Sequence, residues 1–190
     1  MSINLSKGQK VNLSKEAPNL KVALVGLGWD IKQYDSGSDY DLDASIFLLD
    51  SSGKCAHDSD FIFYNNLSSG GVTHSGDNRT GEGEGDVESV TIEFDKIPAY
   101  VEKIAVTVTI YDAVARAQNF GQVQNAFVRL VDKQSGAELL RFDLGEDYST
   151  ETAIVFAEVY RHNGEWKFSA VGSGFNGGLE ALCRQYGLSV

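Results

Sequence analysis

Apolar and polar positions alternate with period two along most of the chain. The runs are KVALVGLGW at 21–29, DASIFLLD at 43–50, FIFYNNL at 61–67, VESVTIEF at 87–94 and KIAVTVTIYDA at 103–113. They continue with AFVRLVD at 126–132, AELLRFDL at 137–144, TAIVFAEVYRH at 152–162 and EWKFSAVG at 165–172. In 87–94, Val87, Val90, Ile92 and Phe94 stand against Glu88, Thr91 and Glu93, with one slip at Ser89–Val90. KQSG separates two of these runs and Asn163-Gly164 separates two others, the latter being the strongest short hairpin signal. Roughly eight to ten short strands with turns between them predict a mainly β protein, an antiparallel two-sheet β-sandwich. A short C-terminal helix is expected from Gly178 to about Tyr186, with Leu179, Leu182 and Cys183 on one face and Gly187 as its stop. A helical turn is expected near 113–120. Ile31–Tyr40 and Ser68–Asp86 read as irregular, the second as one Gly-rich loop of about nineteen residues, long enough to suggest function. Residues 1–190 read as a single domain.

Charge sharpens this picture through its location. The net charge is -11. Residues 30–60 hold eight Asp against Lys32 and Lys54, and residues 77–95 hold seven acids against Arg79. The remainder of the chain is close to neutral. Carboxylates so concentrated repel one another unless a cation sits among them. Composition alone favours a plain solubility charge. The acidity speaks against DNA or RNA as a direct partner, because phosphate binding needs a basic face. No run of about eighteen apolar residues is present, so no transmembrane segment is expected. MSINLSKGQKVNLSK has no long apolar stretch, and Cys55 and Cys183 read as reduced thiols, so a cytoplasmic location is expected.

The chemistry concentrates in DNRTGEGEGDVE, residues 77–88. Calcium takes six to eight oxygens from carboxylates, amides, backbone carbonyls and water. Asp77 and Asn78 enter this loop, Asp86 and Glu88 leave it, and the alternating glycines let the backbone curl and turn carbonyls inward. The run is not an EF-hand, since Arg79 and Gly81 stand at ligand positions and Glu82 stands where Gly is required. Asp39, Asp41 and Asp43 alternate, which predicts one row on one strand face. Asp30, Asn65 and Asn66 are weaker oxygen candidates that serve equally well as turn residues. Oxygen-only donors suit calcium or magnesium over zinc or copper.

Other chemistry is thin. Gly172–Gly177 matches a dinucleotide-binding pattern but lacks the following strand and acid that the pattern needs. His57, His74 and His162 stand apart in sequence, and neither cysteine belongs to a Cys-x-x-Cys. A conventional enzyme is therefore not expected. The competing readings are a thiol-based reductase and a metal-dependent phosphoesterase.

NLSKGQKVNLSK, VGLGWD, DYDLDAS, DFIFYNN, THSGDNRTGEGEGDVES, STETA and EVYRHNGEWKF together resemble the TerD family of tellurite-resistance and general-stress proteins. The resemblance implies a β-sandwich with calcium sites, one or two ions, at one end. Carried onto this chain, it places Asp41, Asp43, Asp77, Asp86 and Glu88 in the site, with backbone oxygens around Asn78, Gly81 and Gly83. It also implies assemblies with other stress and tellurite-resistance proteins, some near the membrane, with calcium-dependent binding or scaffolding as the role.

Overall fold

The computed structural model describes residues 2–31, 40–76, 85–145 and 147–189. The alternating runs form thirteen described strands. They are β1 (Ile3–Leu5), β2 (Lys10–Asn12), β3 (Val22–Ile31), β4 (Leu42–Leu49), β5 (Phe61–Ile62), β6 (Ser68–Ser69), β7 (Val72–His74), β8 (Glu88–Glu93), β9 (Lys103–Ile110), β10 (Val123–Asp132), β11 (Glu138–Asp143), β12 (Ala153–His162) and β13 (Glu165–Phe175). One sheet runs β1-β11-β10-β3-β8-β7-β6 and the other β2-β13-β12-β9-β4-β5. Among the described residues every strand pairing is antiparallel except β1 on β11.

Period-two alternation accounts for the core between the sheets. Ala23, Val25, Leu27 and Trp29 of β3 face Leu42, Ala44, Ile46 and Leu48 of β4, within one cluster that also takes Ile104, Val106, Val108 and Ile110 of β9. The other face of the second sheet is covered as well. Helix α2 (Gly178–Gln185) lays Leu182 and Cys183 on Phe47, Leu49, Ala105 and Val155. Strand β4 is therefore buried along its whole length, which explains why its sequence reads as nearly continuous apolar residues. A one-turn helix, α1 (Leu13–Glu16), caps with Asn12, whose side chain accepts from the Lys15 N–H.

Three expectations need correction, and the dinucleotide-like pattern already set aside has its structural explanation. The 68–86 segment is not one loop: Ser68–Ser69 and Val72–His74 form a hairpin about Gly70 and Gly71, both at positive φ. The run at 61–67 is a strand only over Phe61–Ile62. The 113–120 segment is a chain of turns, with a 3-10 turn only at Phe120–Gln122. The glycines at 172 and 174 lie inside β13, so the dinucleotide-like pattern is strand and not a phosphate loop.

Candidate metal centre

The acidic stretches meet the sandwich at the open edge of β4. Ala44 faces Val108 of β9 on one side, and β5 pairs only with Ile46 and Phe47 on the other. Two side chains of the opposite sheet satisfy the buried Ala44 backbone groups on the side away from β9. Glu88, at the start of β8, accepts from the Ala44 N–H at 2.7 Å through Oε2. His74, at the end of β7, meets the Ala44 carbonyl at 3.0 Å through Nε2. The Gly76 N–H donates to His74 Nδ1 at 2.9 Å. That bond assigns the proton of the neutral ring to Nε2, which then donates to Ala44 O. Glu88 Oε2 lies 3.4 Å from Nε2. Burial opposes charge on this ring, but the Glu88 hydrogen bond and charge outweigh it, and the His74 pKa lies above the ordinary imidazole value. Glu88 and His74 thus do for Ala44 what no described strand does on this side, and they are 2% and 4% exposed. The alternation had set Glu88 on the polar face; instead it shares the buried face of β8 with Val90 and Ile92.

Asp86 lies elsewhere, over the outer face of the first sheet. Arg129 of β10 grips it with both forks, Nε to Oδ1 at 2.8 Å and Nη2 to Oδ2 at 2.9 Å. Arg129 also donates to Glu138 at 3.2 Å through Nη1. The glycines of VGLG make this possible. A Cβ on Gly26 would sit 2.2 Å from Asp86 Oδ2, and one on Gly28 would sit 2.3 Å from the Phe127 ring and 2.9 Å from the Gly85 carbonyl. Arg129, Gly26 and Gly28 were not picked out from the sequence. Paired glycines inside a strand pattern are the available signal, since they mark a close approach of another chain segment.

Asp41 and Asp43 flank Leu42, whose side chain is in the core between the sheets. Alternation places Asp43 on the outer face of the second sheet, where it is 6% exposed. There it lines a cavity of about 410 Å³ with Thr109, Thr152 and Leu179. Asp41 continues the ladder to β9, its carbonyl accepting from the Tyr111 N–H at 2.8 Å. Asp39, Asp77, Asn78, Gly81 and Gly83 lie outside the described residues. The four expected ligands that are described therefore divide among three settings: Glu88 at the β4 edge, Asp86 on Arg129, and Asp41 with Asp43 at the head of β4. Among the described residues no three His, Cys, Asp or Glu side chains form a ready-made metal cluster. The weaker candidates have structural roles: Asp30 accepts from Asn125 at 2.7 Å, and Asn66 donates to the Phe61 carbonyl at 2.7 Å.

The cysteines come together beneath α2. Cys55 packs on the cluster that contains Cys183, and its N–H donates to the Tyr186 carbonyl at 2.9 Å. Both thiols are unbridged. Burial, then the nearby Asp60 charge, pushes Cys55 up to about 12, and burial also raises Cys183.

Residues 1–186 match the family model for the TerD domain. Tellurium resistance protein TerD of Serratia marcescens is 61% identical over 191 residues, covering 100% of this chain and 99% of that protein. General stress protein 16U of Bacillus subtilis (strain 168) is 58% identical over 192 residues, covering 100% of both. Among solved structures, a homologue of telluride resistance protein (TerD) from Streptomyces coelicolor A3(2) superposes with a TM-score of 0.71 at 24% identity, covering 90% of this chain and 100% of that one. That likeness bears on the fold alone.

Proposed function

The chain belongs to the TerD family, and from that premise we propose that it is a calcium-dependent binding module of the stress response associated with tellurium resistance. One observation carries the reading: the two acidic stretches come together at residues 43–44 of β4, where Asp43 is buried to 6% exposure on the outer face and Glu88, from the opposite sheet, accepts from the neighbouring Ala44 N–H. Carboxylates so deeply placed need a cation or converging donors to offset their lost hydration. The donors offered are all oxygen, which suits a hard cation. Asp41 and Asp43 would hold it with Asp39, Asp77, Asn78 and the carbonyls around Gly81 and Gly83. Asp86 and Glu88 border the same loop, and Arg129 already answers the Asp86 charge. Bound calcium would neutralise the carboxylates and fix the surface offered to a partner protein of the same response. Two unbridged thiols accord with a reducing, cytoplasmic setting.

The role is a binding one, without turnover. A thiol reductase needs an accessible thiolate, and both thiols here are shifted away from that form. No helix among the described residues is long and apolar enough to cross a membrane.

The test is calorimetric titration of the metal-stripped protein with Ca²⁺ and, separately, Mg²⁺, with the melting temperature followed in parallel. Saturable heat and a rise in melting temperature with Ca²⁺, and a weaker Mg²⁺ response, are expected. Asp41→Asn with Asp43→Asn is expected to remove the calcium response. A wild-type protein with neither heat nor shift sinks the calcium reading, and a double variant that still responds sinks the ligand set.

A further inference from the structure

The cavity on the outer face of the second sheet has the size of a small-molecule site, at about 410 Å³. It lies between the first turn of α2 and the turns that follow β9, and its walls are mostly apolar, with Ile110 and Leu179 among them. Tyr111 and Val114 stand at its mouth, 49% and 88% exposed, and they are two of the four large hydrophobic side chains that the described residues leave in solvent. Asp43, on its floor, already has an interaction within the protein.

Two sets of hydrogen-bond donors face this space. The first is the start of α2. Its N-cap, Gly177, has no side chain to offer, and Thr152 Oγ1 takes only the Gly178 N–H, at 2.9 Å. The Leu179 and Glu180 N–H groups, in the cavity wall, have no acceptor among the described residues. The second is Thr109 of β9, which is 2% exposed, lies opposite Asp43 in the ladder and lines the floor. Thr107, two residues back on the same face, donates its hydroxyl to the Ser45 carbonyl at 3.0 Å. The Thr109 hydroxyl makes no such bond among the described residues. Thr152 brings the two sets together, its carbonyl accepting from the Ile110 N–H at 3.1 Å while its hydroxyl holds Gly178. A hydroxyl so deeply buried is normally bonded, and an unused one aimed into a cavity points to a guest. Charge decides what that guest can be. Asp43, Asp112 and Glu180 line the space, and among the described residues no Lys, Arg or His does. These carboxylates repel an anion. An ammonium ion brings only donors of its own, and leaves the Thr109 hydroxyl and the two N–H groups unanswered.

We propose that this cavity binds a small neutral acyl compound, an amide, ester or ketone on a short aliphatic body, its carbonyl oxygen accepting from the Thr109 hydroxyl and from the first-turn N–H groups of α2. A carbonyl oxygen has two lone pairs and no proton, so it serves more than one donor at once. The aliphatic body lies against Leu179, Tyr111 and Val114 and takes their apolar surface out of water. None of these binding groups belongs to the proposed calcium set, so the site stands or falls separately from calcium.

The experiment follows the amide spectrum of the full chain while n-pentanamide, n-pentanoate and n-pentylamine are added separately at neutral pH. Pentanamide is expected to bind saturably and to move the Leu179 and Glu180 amide protons downfield as they gain an acceptor. Pentanoate offers similar oxygens with a charge, and should bind at least about tenfold more weakly. Pentylamine has the same aliphatic body without the acceptor, and should bind more weakly and leave those two protons without the downfield shift. Thr109→Val keeps the shape and removes the hydroxyl. It should weaken pentanamide about five- to tenfold while the melting curve stays cooperative, and Thr109→Ser should restore most of the affinity. No saturable binding of pentanamide, pentylamine binding as tightly as pentanamide, or unchanged affinity in Thr109→Val would overturn the proposal.

Discussion

Glu88 ties the two sheets together locally, reaching from β8 to the backbone of β4. Its carboxylate is buried and bound to the Ala44 N–H and close to His74. Glu88→Ala leaves that donor unanswered in a dry site and is expected to cost about 2–4 kcal/mol in denaturant unfolding. Glu88→Gln keeps an acceptor oxygen and should cost clearly less; equal losses would mean that charge, and not the hydrogen bond, sets the penalty. Gly26 has the complementary logic. Gly26→Ala collides with Asp86 and is expected to destabilise by about 1–3 kcal/mol. In an Asp86→Ala background the penalty should largely vanish, because the collision partner is gone. Additive losses would show that something other than Asp86 crowds Gly26. Cys55 gives a third prediction. Burial pushes its pKa up to about 12, so alkylation at pH 8 should run at least about tenfold slower than for an ordinary exposed thiol, followed by mass spectrometry, the smaller thiolate fraction outweighing its greater nucleophilicity.

At the scale of elements, the β12–β13 hairpin was legible from Asn163-Gly164. Both residues take left-handed backbone, φ 53 and φ 74, as a primed turn requires. Asn163→Ala should therefore lower stability by about 1 kcal/mol, and Asn163→Gly by less. The main strands and α2 were legible for the same reason, because their alternation and helical spacing report directly on burial. The elements that escaped are those with two or three residues per strand: β1, β2, β6 and β7 offer too few positions for a period to register. Glu88 escaped for a different reason. A carboxylate in an alternating run reads as solvent-facing, and only a donor on another sheet, 44 residues away in sequence, turns it inward. The Asp86–Arg129 pair is equally non-local, separated by 43 residues. The sequence identified the acidic candidates as a group, but their partition between Arg129, the Ala44 edge and the outer face of β4 is a product of the tertiary fold.

At the scale of the whole molecule, the charge of -11 predicts a salt response. Sodium chloride should raise the melting temperature of the metal-stripped protein modestly, by screening repulsion. Calcium at matched ionic strength should raise it several degrees further if a specific site exists; coincident curves would reduce the acidic stretches to general charge. A last consequence follows from the first dozen residues. Strand β1 lies on β11 and β2 lies on β13, one on each sheet. During synthesis on the ribosome, this amino-terminal clasp has no partner until residues 138–143 and 165–175 have emerged. The nascent chain must therefore hold these two strands without partners until those later strands are available, and the clasp across both sheets closes only after them.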